Sequence, residues 1–198
     1  MKFLTALLVS LASLSALALE VGKLAPDFKL KGIAGKSEDI SLSQFKGKYV
    51  VLEWKNHGCP FVKKHYGAGN MQALQKKYTG QNVIWLSVVS SAPGKQGHTD
   101  EAGAKKEFTE HKSSASNVLL DSAGTVGKLY EAKTTPHMYI IDKEGMLAYQ
   151  GAIDDKADAE AASIPGAKNY VAQALNEMMA GKKVSVATTK SYGCGVKY

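Results

Sequence analysis

One of the two cysteines, Cys59, stands where a strand is expected to give way to a helix. The segment 49–54 is apolar, aromatic and β-branched, which is typical of a strand. Pro60 suits the first turn of a helix, because the N–H that it lacks would be unpaired there anyway. A thiolate at such a junction faces free backbone N–H groups and the positive end of the helix dipole, and both lower its pKa. With His57 and Lys63 nearby, the pattern predicts a reactive thiol in preference to a buried structural one.

The second cysteine, Cys194, lies in the C-terminal tail 184–198 between Gly193 and Gly195. Thiol–disulfide exchange needs an attacking thiolate and, for turnover, a second thiol that releases the mixed disulfide. The preceding residues of the tail span up to roughly 30 Å, about a domain diameter, so Cys194 can reach Cys59. Two interpretations are equally favoured: a catalytic pair in which Cys194 is the resolving thiol, or a static disulfide that fixes the tail. Two unpaired thiols come third.

The N-terminal residues form a separate segment. Lys2 precedes an apolar run that ends in Ala16-Leu17-Ala18, as in a secretory signal peptide with a small-x-small cleavage site. We therefore expect a signal peptide over 1–18, one domain over 19–183 and the tail over 184–198, in a secreted, periplasmic protein. No other segment is long and apolar enough to span a membrane. Outside the cytosol a disulfide can persist.

The composition is that of an ordinary globular protein, with 44% hydrophobic and 22% charged residues. The 25 basic residues are all lysines, despite a net charge of +7. Arginine is the residue of choice for bidentate phosphate and base contacts. Its absence argues against a nucleic-acid partner and favours a solvated lysine-rich surface. The acidic stretch 154–160 has no fixed ligand spacing, so we expect a solvated face there and no metal site or cofactor.

The remaining periodicity predicts alternating strands and helices. Besides the first strand, strands are predicted at 82–89, 117–120, 137–141 and 146–149. Helices are predicted at 60–66, 71–78, 100–110, 123–131 and 169–179. Asn70 is the expected N-cap of the second helix, and Thr99 or Asp100 that of the third. This order implies an α/β protein with a central mixed β-sheet flanked by helices on both faces.

Four short motifs carry a resemblance to a known fold family: Ala25-Pro26-Asp27-Phe28, Phe45-Lys46-Gly47-Lys48, Cys59-Pro60 and Thr135-Pro136. On these motifs the chain resembles the thioredoxin superfamily and, within it, the peroxiredoxin-like redoxins of the AhpC/TSA type. The resemblance implies a thioredoxin-like redoxin domain over 19–183. It also implies that Pro136 is cis and packs beside Cys59, and that Thr135 presents its backbone to a disulfide substrate.

Two patterns of that superfamily are incomplete in this chain. A C-x-x-C motif would need a second cysteine where Val62 stands. The pattern P-x-x-x-T-x-x-C would need proline and threonine where Leu52 and Asn56 stand, together with an arginine that the sequence lacks. These differences predict inefficient peroxide reduction, with Asn56, His57 or a lysine as the remaining sources of polarity.

We therefore predict a thiol-dependent oxidoreductase of the peroxiredoxin-like, antioxidant type. Its substrate would be a protein or small-molecule disulfide or a peroxide, with an unidentified thiol reductant. The catalytic residues are expected to be Cys59 and Cys194. The substrate groove and the thiolate environment are expected to comprise Asn56, His57, Pro60, Lys63, Thr135 and Pro136.

Two other functions fit parts of the pattern. A carrier of copper or another soft metal could use Cys59, His57, His65, His137 and Cys194, although H-x-C with dispersed histidines is a weak metal-binding pattern. The second is a non-catalytic redoxin, which could hold the two cysteines in a structural disulfide or be kept for protein interaction without chemistry. A normal pKa of the Cys59 thiol would favour the protein-interaction role.

Overall fold

A computed structural model describes residues 19–34 and 38–198. The predicted signal peptide lies outside these residues and stays a prediction. The strands are β1 (Lys29–Gly32), β2 (Glu38–Ser41), β3 (Val50–Trp54), β4 (Ile84–Val89), β5 (Asn117–Leu120), β6 (Thr134–Thr135), β7 (His137–Ile141), β8 (Leu147–Gly151) and β9 (Cys194–Gly195). The α-helices are α1 (Pro60–Gly67), α2 (Asn70–Thr79), α3 (Glu101–Glu110), α4 (Thr125–Leu129) and α5 (Tyr170–Met179), and short 3-10 helices cover Leu42–Phe45 and Ala161–Gly166. Within the described ranges, no helix is long and apolar enough to cross a bilayer.

The main sheet is mixed and has the strand order β2-β1-β5-β4-β3-β7-β8. At its centre β3 runs parallel to β4, and β4 runs parallel to β5. On the other side of β3, β7 is antiparallel and forms a hairpin with β8. The short strands β6 and β9 form a separate ladder. This topology confirms the predicted α/β, thioredoxin-like architecture.

The central strand β3 is buried along its whole length. Its side chains alternate between two cores, as the two-residue period of a strand requires. Val50 and Leu52 face the core that includes α4, whereas Val51 faces the core formed with α1, α2 and α5. Helices therefore flank both faces, as predicted. Burial of each large apolar side chain contributes about 1.5–3 kcal/mol, so these cores fix the end of β3 from which the next helix starts.

The glycines in 67–69 predict one kinked helix or two short ones after Cys59, and the structure has two, α1 and α2. Gly69 has a φ of 71° and is the N-cap of α2, a conformation that glycine adopts without steric cost. The prediction that Asn70 is this N-cap was wrong, because Asn70 is already the first residue of the helix. Its amide Nδ2 instead lies 2.8 Å from Nδ1 of His65 on α1.

Candidate active site

Cys59 lies where β3 leads into α1, as the sequence predicts. It is the N-cap of α1, and Pro60 is the first residue of that helix. Asn56 shapes the loop before it: the Asn56 carbonyl accepts a hydrogen bond from the Cys59 N–H at 3.0 Å, and Oδ1 accepts one from the Gly58 N–H at 2.8 Å. The Asn56 amide donates to the Gln96 carbonyl at 3.1 Å and anchors the loop to the neighbouring segment. Asn56 therefore helps to present Cys59 through the backbone.

The Cys59 side chain is 0% exposed. Its thiol donates a hydrogen bond to the Thr135 carbonyl at 3.0 Å. The bond between Thr135 and Pro136 is cis, as the resemblance implied. A carbonyl oxygen accepts from a thiol but cannot donate to a thiolate. The ionised sulfur therefore depends on other groups for its hydrogen bonds.

The C-terminal tail supplies some of those groups. Strand β9 pairs with β6 in antiparallel register, with Cys194 opposite Thr135. Thr135 Oγ1 also donates to the Cys194 carbonyl at 3.4 Å. Gly193 has a φ of 131°, and a Cβ at that position would overlap the Thr135 carbonyl. Only a glycine lets the tail approach so closely, and the two cysteines meet as free thiols.

The two thiols have unequal acidity. Burial raises the pKa of Cys59, but hydrogen bonds from the Cys194 thiol and from the backbone N–H groups of Val62 and Cys194 outweigh it, so this pKa lies below its ordinary value. Burial, the hydrogen bond to Cys59 and the nearby negative charge raise the pKa of Cys194 to about 11. The neutral Cys59 thiol makes no capping hydrogen bond to α1. The Val62 N–H therefore donates its hydrogen bond to the thiolate form of Cys59. The pair therefore ionises first at Cys59, which is the nucleophile that the sequence predicts.

The structure places His57 and Lys63 away from this hydrogen-bond set. His57 Nδ1 lies 3.0 Å from Glu107 Oε1 on α3, and Lys63 is exposed on the first turn of α1. The stabilising hydrogen bonds on the Cys59 sulfur come instead from Cys194, from the start of α1 and from the side chain of Thr135.

The histidines considered for a soft-metal site do not converge on the cysteines. His65 contacts Asn70 and Tyr192. His137 Nδ1 accepts from the Lys133 N–H at 3.2 Å and lies 2.9 Å from the Tyr139 hydroxyl. Across residues 19–34 and 38–198, no group of three or more His, Cys, Asp or Glu side chains is arranged to hold a metal ion.

One cluster beside the cysteines was not predicted from the sequence. The Tyr192 hydroxyl donates to Asp154 Oδ1 at 2.6 Å and lies 3.1 Å from His65 Nε2. The spacing of Tyr192 and Cys194 offered a signal, because residues two apart in an extended segment share a face. Nothing in the sequence linked either to Asp154, which belongs to a stretch that we expected to be a solvated face and which is 1% exposed.

Comparisons with known proteins agree with this geometry. The sequence model of the AhpC/TSA family matches residues 21–150. The thiol-disulfide oxidoreductase ResA of Bacillus thuringiensis subsp. konkukian is 30% identical over 130 residues, which cover 65% of this chain and 68% of the relative.

Two solved structures extend the similarity. An uncharacterized conserved protein from Geobacillus kaustophilus superposes with a TM-score of 0.76 at 25% identity, covering 91% of this chain and 93% of the other. The pneumococcal exposed lipoprotein thioredoxin Etrx1 of Streptococcus pneumoniae gives a TM-score of 0.52 at 27% identity, covering 71% and 97%. The chain therefore belongs to the AhpC/TSA family and is a thiol-dependent oxidoreductase with a thioredoxin-like fold.

Proposed function

We propose that this protein exchanges thiols with disulfide substrates outside the cytosol, with Cys59 as the nucleophile and Cys194 as the resolving thiol. The observation that carries the proposal is that β9 places Cys194 opposite Thr135, whose carbonyl accepts a hydrogen bond from the Cys59 thiol at 3.0 Å. The two thiols therefore lie together at the start of α1, and the lowered pKa is on the Cys59 side. A purely structural pair would need no such difference in acidity, whereas exchange chemistry needs one thiolate and one thiol held in reserve.

The first step is attack of the Cys59 thiolate on a substrate disulfide R–S–S–R′. A bond forms between the Cys59 sulfur and one substrate sulfur, the substrate S–S bond breaks, and R′–S⁻ leaves. The donors that stabilise the thiolate are the Cys194 thiol and the N–H groups of Val62 and Cys194. The Val62 N–H is held by α1, and the two Cys194 donors are in place while β9 is docked, so the docked site needs no rearrangement to form the thiolate.

The second step is attack of Cys194 on the Cys59 sulfur of the mixed disulfide. The departing R′–S⁻ takes the Cys194 proton, a Cys59–Cys194 bond forms, and R–S⁻ leaves. Once Cys59 is in a disulfide, the negative charge that helps to raise the pKa of Cys194 is gone. The dithiol has then been oxidised by two electrons and the substrate disulfide reduced to two thiols. An external dithiol reductant restores the starting state through the same exchange steps.

The substrate groove would follow the cis-proline edge next to Cys59. Thr135 and Pro136 would receive the substrate backbone, while Pro60, His57 and Lys63 would border the approach to α1. Disulfides are favoured over peroxides, because Leu52 and Asn56 replace the proline and threonine of the peroxidase pattern and the sequence has no arginine. An antioxidant role would then rest on the repair of oxidised thiols.

An extracytoplasmic location is part of this proposal. It is supported by the signal-like segment 1–18 and by the chemistry, since disulfides persist in oxidising compartments. The similarity to a pneumococcal protein described as an exposed lipoprotein thioredoxin points the same way.

The decisive experiment compares two serine variants of the full chain with the wild type, using glutathione disulfide and a disulfide-linked peptide as substrates. Cys59→Ser is expected to abolish disulfide consumption. Cys194→Ser is expected to capture one substrate half as a mixed disulfide, visible by mass spectrometry, and then to stall. Unchanged consumption by Cys59→Ser would overturn the proposal.

The same preparation decides between a catalytic and a static disulfide. The oxidised wild type should show a Cys59–Cys194 bridge in peptide mapping that excess dithiol reductant opens under native conditions. A bridge that opens only after denaturation would favour the structural alternative.

A further inference from the structure

The hydroxyl of Tyr192 lies between two side chains that are buried in the domain. Asp154 Oδ1 accepts its proton at 2.6 Å, and His65 Nε2 lies 3.1 Å from its oxygen. The His65 and Asp154 side chains are only 0% and 1% exposed. A residue of the tail thus enters a polar pocket of the domain two positions before Cys194.

The hydrogen bonds of this pocket form a chain in which each side chain donates to the next, from Asn70 through His65 and Tyr192 to Asp154. The Asn70 amide faces His65 Nδ1 at 2.8 Å, so Nδ1 accepts and the ring proton lies on Nε2. Nε2 then donates to the Tyr192 oxygen, and the Tyr192 hydroxyl donates to Asp154. Tyr192 is therefore an acceptor for one buried group and a donor to the other, and its removal would leave both without this partner.

The Asp154 carboxylate has little else to bind. Oδ1 also accepts from the Lys156 N–H at 3.0 Å, whereas Oδ2 is buried and has no hydrogen-bond partner among the described residues. Hydrogen bonds to an ionised carboxylate are about twice as strong as those between neutral groups. The Tyr192 hydroxyl is therefore a strong attachment for the tail.

The ring of Tyr192 rests on the helix that carries the nucleophile at its N-cap. Its centroid is 5.8 Å from that of Phe61, which follows Cys59 by two residues. The Lys64 ammonium lies 5.9 Å from the same ring. The upstream end of β9 is thus fixed to the first turns of α1, beside the sulfur that Cys194 must attack.

We propose that Tyr192 is a positioning residue that latches β9 over Cys59, so that it controls both access to the nucleophile and the return of Cys194 to resolve the mixed disulfide. The inference rests on the function proposed above. Because Cys59 is fully buried and β9 supplies part of its cover, a substrate larger than a small thiol reagent reaches Cys59 when β9 lifts. The fraction of molecules in which β9 is lifted then sets the rate at which Cys59 reacts with the substrate disulfide. Docking of the tail sets the local concentration of Cys194 at the mixed disulfide.

The tail has another attachment beyond Cys194, which provides a matched comparison. The Tyr198 hydroxyl donates to the Ala132 carbonyl at 2.8 Å, a neutral acceptor. Loss of a charge-assisted bond at Tyr192 should therefore release β9 more than loss of a neutral bond at Tyr198.

The test measures alkylation of Cys59 by a bulky maleimide in the Cys194→Ser background, where only one thiol can react and the serine still donates to Cys59. Adding Tyr192→Phe is expected to raise the alkylation rate about tenfold. Asp154→Asn, which keeps an acceptor for the hydroxyl but removes its charge, is expected to give a smaller increase. Tyr198→Phe is expected to change the rate by less than about threefold.

Tyr78→Phe controls for general destabilisation. Tyr78 is buried and its hydroxyl also has two partners, the Ala172 carbonyl and Asn176 Oδ1, both at 3.1 Å and both on α5. It should lower the urea midpoint without changing Cys59 alkylation at low urea. An unchanged alkylation rate in Tyr192→Phe, or an increase matched by Tyr78→Phe or Tyr198→Phe, would overturn the latch.

A second readout uses turnover with both cysteines present. Tyr192→Phe should capture a disulfide-linked peptide faster and accumulate more mixed disulfide than the wild type, because Cys194 returns less often. Equal amounts of mixed disulfide in both proteins would also contradict the latch. If only the latch is wrong, Cys59→Ser still abolishes turnover. If the proposed function is wrong, Cys59→Ser leaves turnover unchanged, whatever the alkylation rates are.

Discussion

Two carboxylates are buried beneath α1, and they differ in how many hydrogen bonds they accept. Glu53 on β3 accepts four hydrogen bonds between 2.8 and 3.1 Å, and its donors are Tyr66, Gln75, Trp85 and Ser87. Asp154 accepts from Tyr192 and from the Lys156 N–H, and its second oxygen has no partner among the described residues.

The difference lies in where the donors come from. All four partners of Glu53 belong to α1, α2 and β4, so this network ties the helices of one face to the sheet. The side-chain donor to Asp154 comes from the tail. The first cluster therefore depends only on the fold of the domain, whereas the second also depends on whether the tail is docked. Buried polar groups specify structure only when they are satisfied, and Asp154 is satisfied in part by a segment that must move in the proposed mechanism.

The largest effect is expected when the Glu53 cluster is broken. Glu53→Ala should lower the free energy of unfolding by about 4 kcal/mol, because four buried donors lose their acceptor and a cavity remains. Urea denaturation measures the loss, and Cys59 alkylation in the surviving folded protein should stay at the wild-type rate. Glu53→Gln, which keeps the shape, should cost less. A loss below about 1 kcal/mol in Glu53→Ala would contradict the role assigned to this network.

The next effect is a pH dependence that belongs to the Asp154 cluster. Burial lowers the pKa of His65 to about 4, with Asp154 and Asp158 opposing the shift and Lys64 assisting it. An unfolded histidine titrates near pH 6.5, so below that pH the unfolded chain holds a proton that the folded chain lacks. Stability should therefore fall as the pH falls from 6.5 towards 4.

His65→Gln removes this titration. Between pH 6.5 and 4.5, the wild type should lose about 2 kcal/mol more stability than the variant in urea titrations. His137, whose pKa burial also lowers to about 4, is present in both proteins and cancels in the comparison. Parallel losses in the two proteins would show that His65 is not buried in its neutral form.

The smallest effect is the coupling within the Asp154 cluster. A double-mutant cycle of Tyr192→Phe and Asp154→Asn should give an interaction energy of about 1 kcal/mol in urea denaturation, because the two side chains share a hydrogen bond. Tyr78→Phe and Asp154→Asn share no partner, and their effects should add within about 0.5 kcal/mol. Coupling of equal size in both cycles would show that the hydrogen bond between Tyr192 and Asp154 has no specific effect on stability.

Local signals in the sequence predicted the strand-to-helix junction that carries Cys59. The apolar run before Cys59 and the proline after it predict a strand that leads into a helix, and β3 and α1 have these positions. Asp100 caps α3, as its residue type predicts, whereas Asn169, expected to be the first residue of its helix, is the N-cap of α5. The helix break near Gly69 was expected, but Asn70 was predicted to be the cap. Its side chain contacts His65 instead, and that contact depends on how the two short helices pack.

What the sequence by itself determined is the kind of chemistry: one thiol at a strand-to-helix junction, a second in a glycine-flanked tail, and no arginine to support peroxide reduction. Only the tertiary structure decided how the two thiols differ in acidity and what holds the tail in place. Those properties arise from burial and from contacts between residues far apart in the chain, such as Tyr192 with His65 and Asp154. Such contacts leave no periodic trace in the sequence, since each partner is chosen by its position in the folded core and not by its neighbours along the chain.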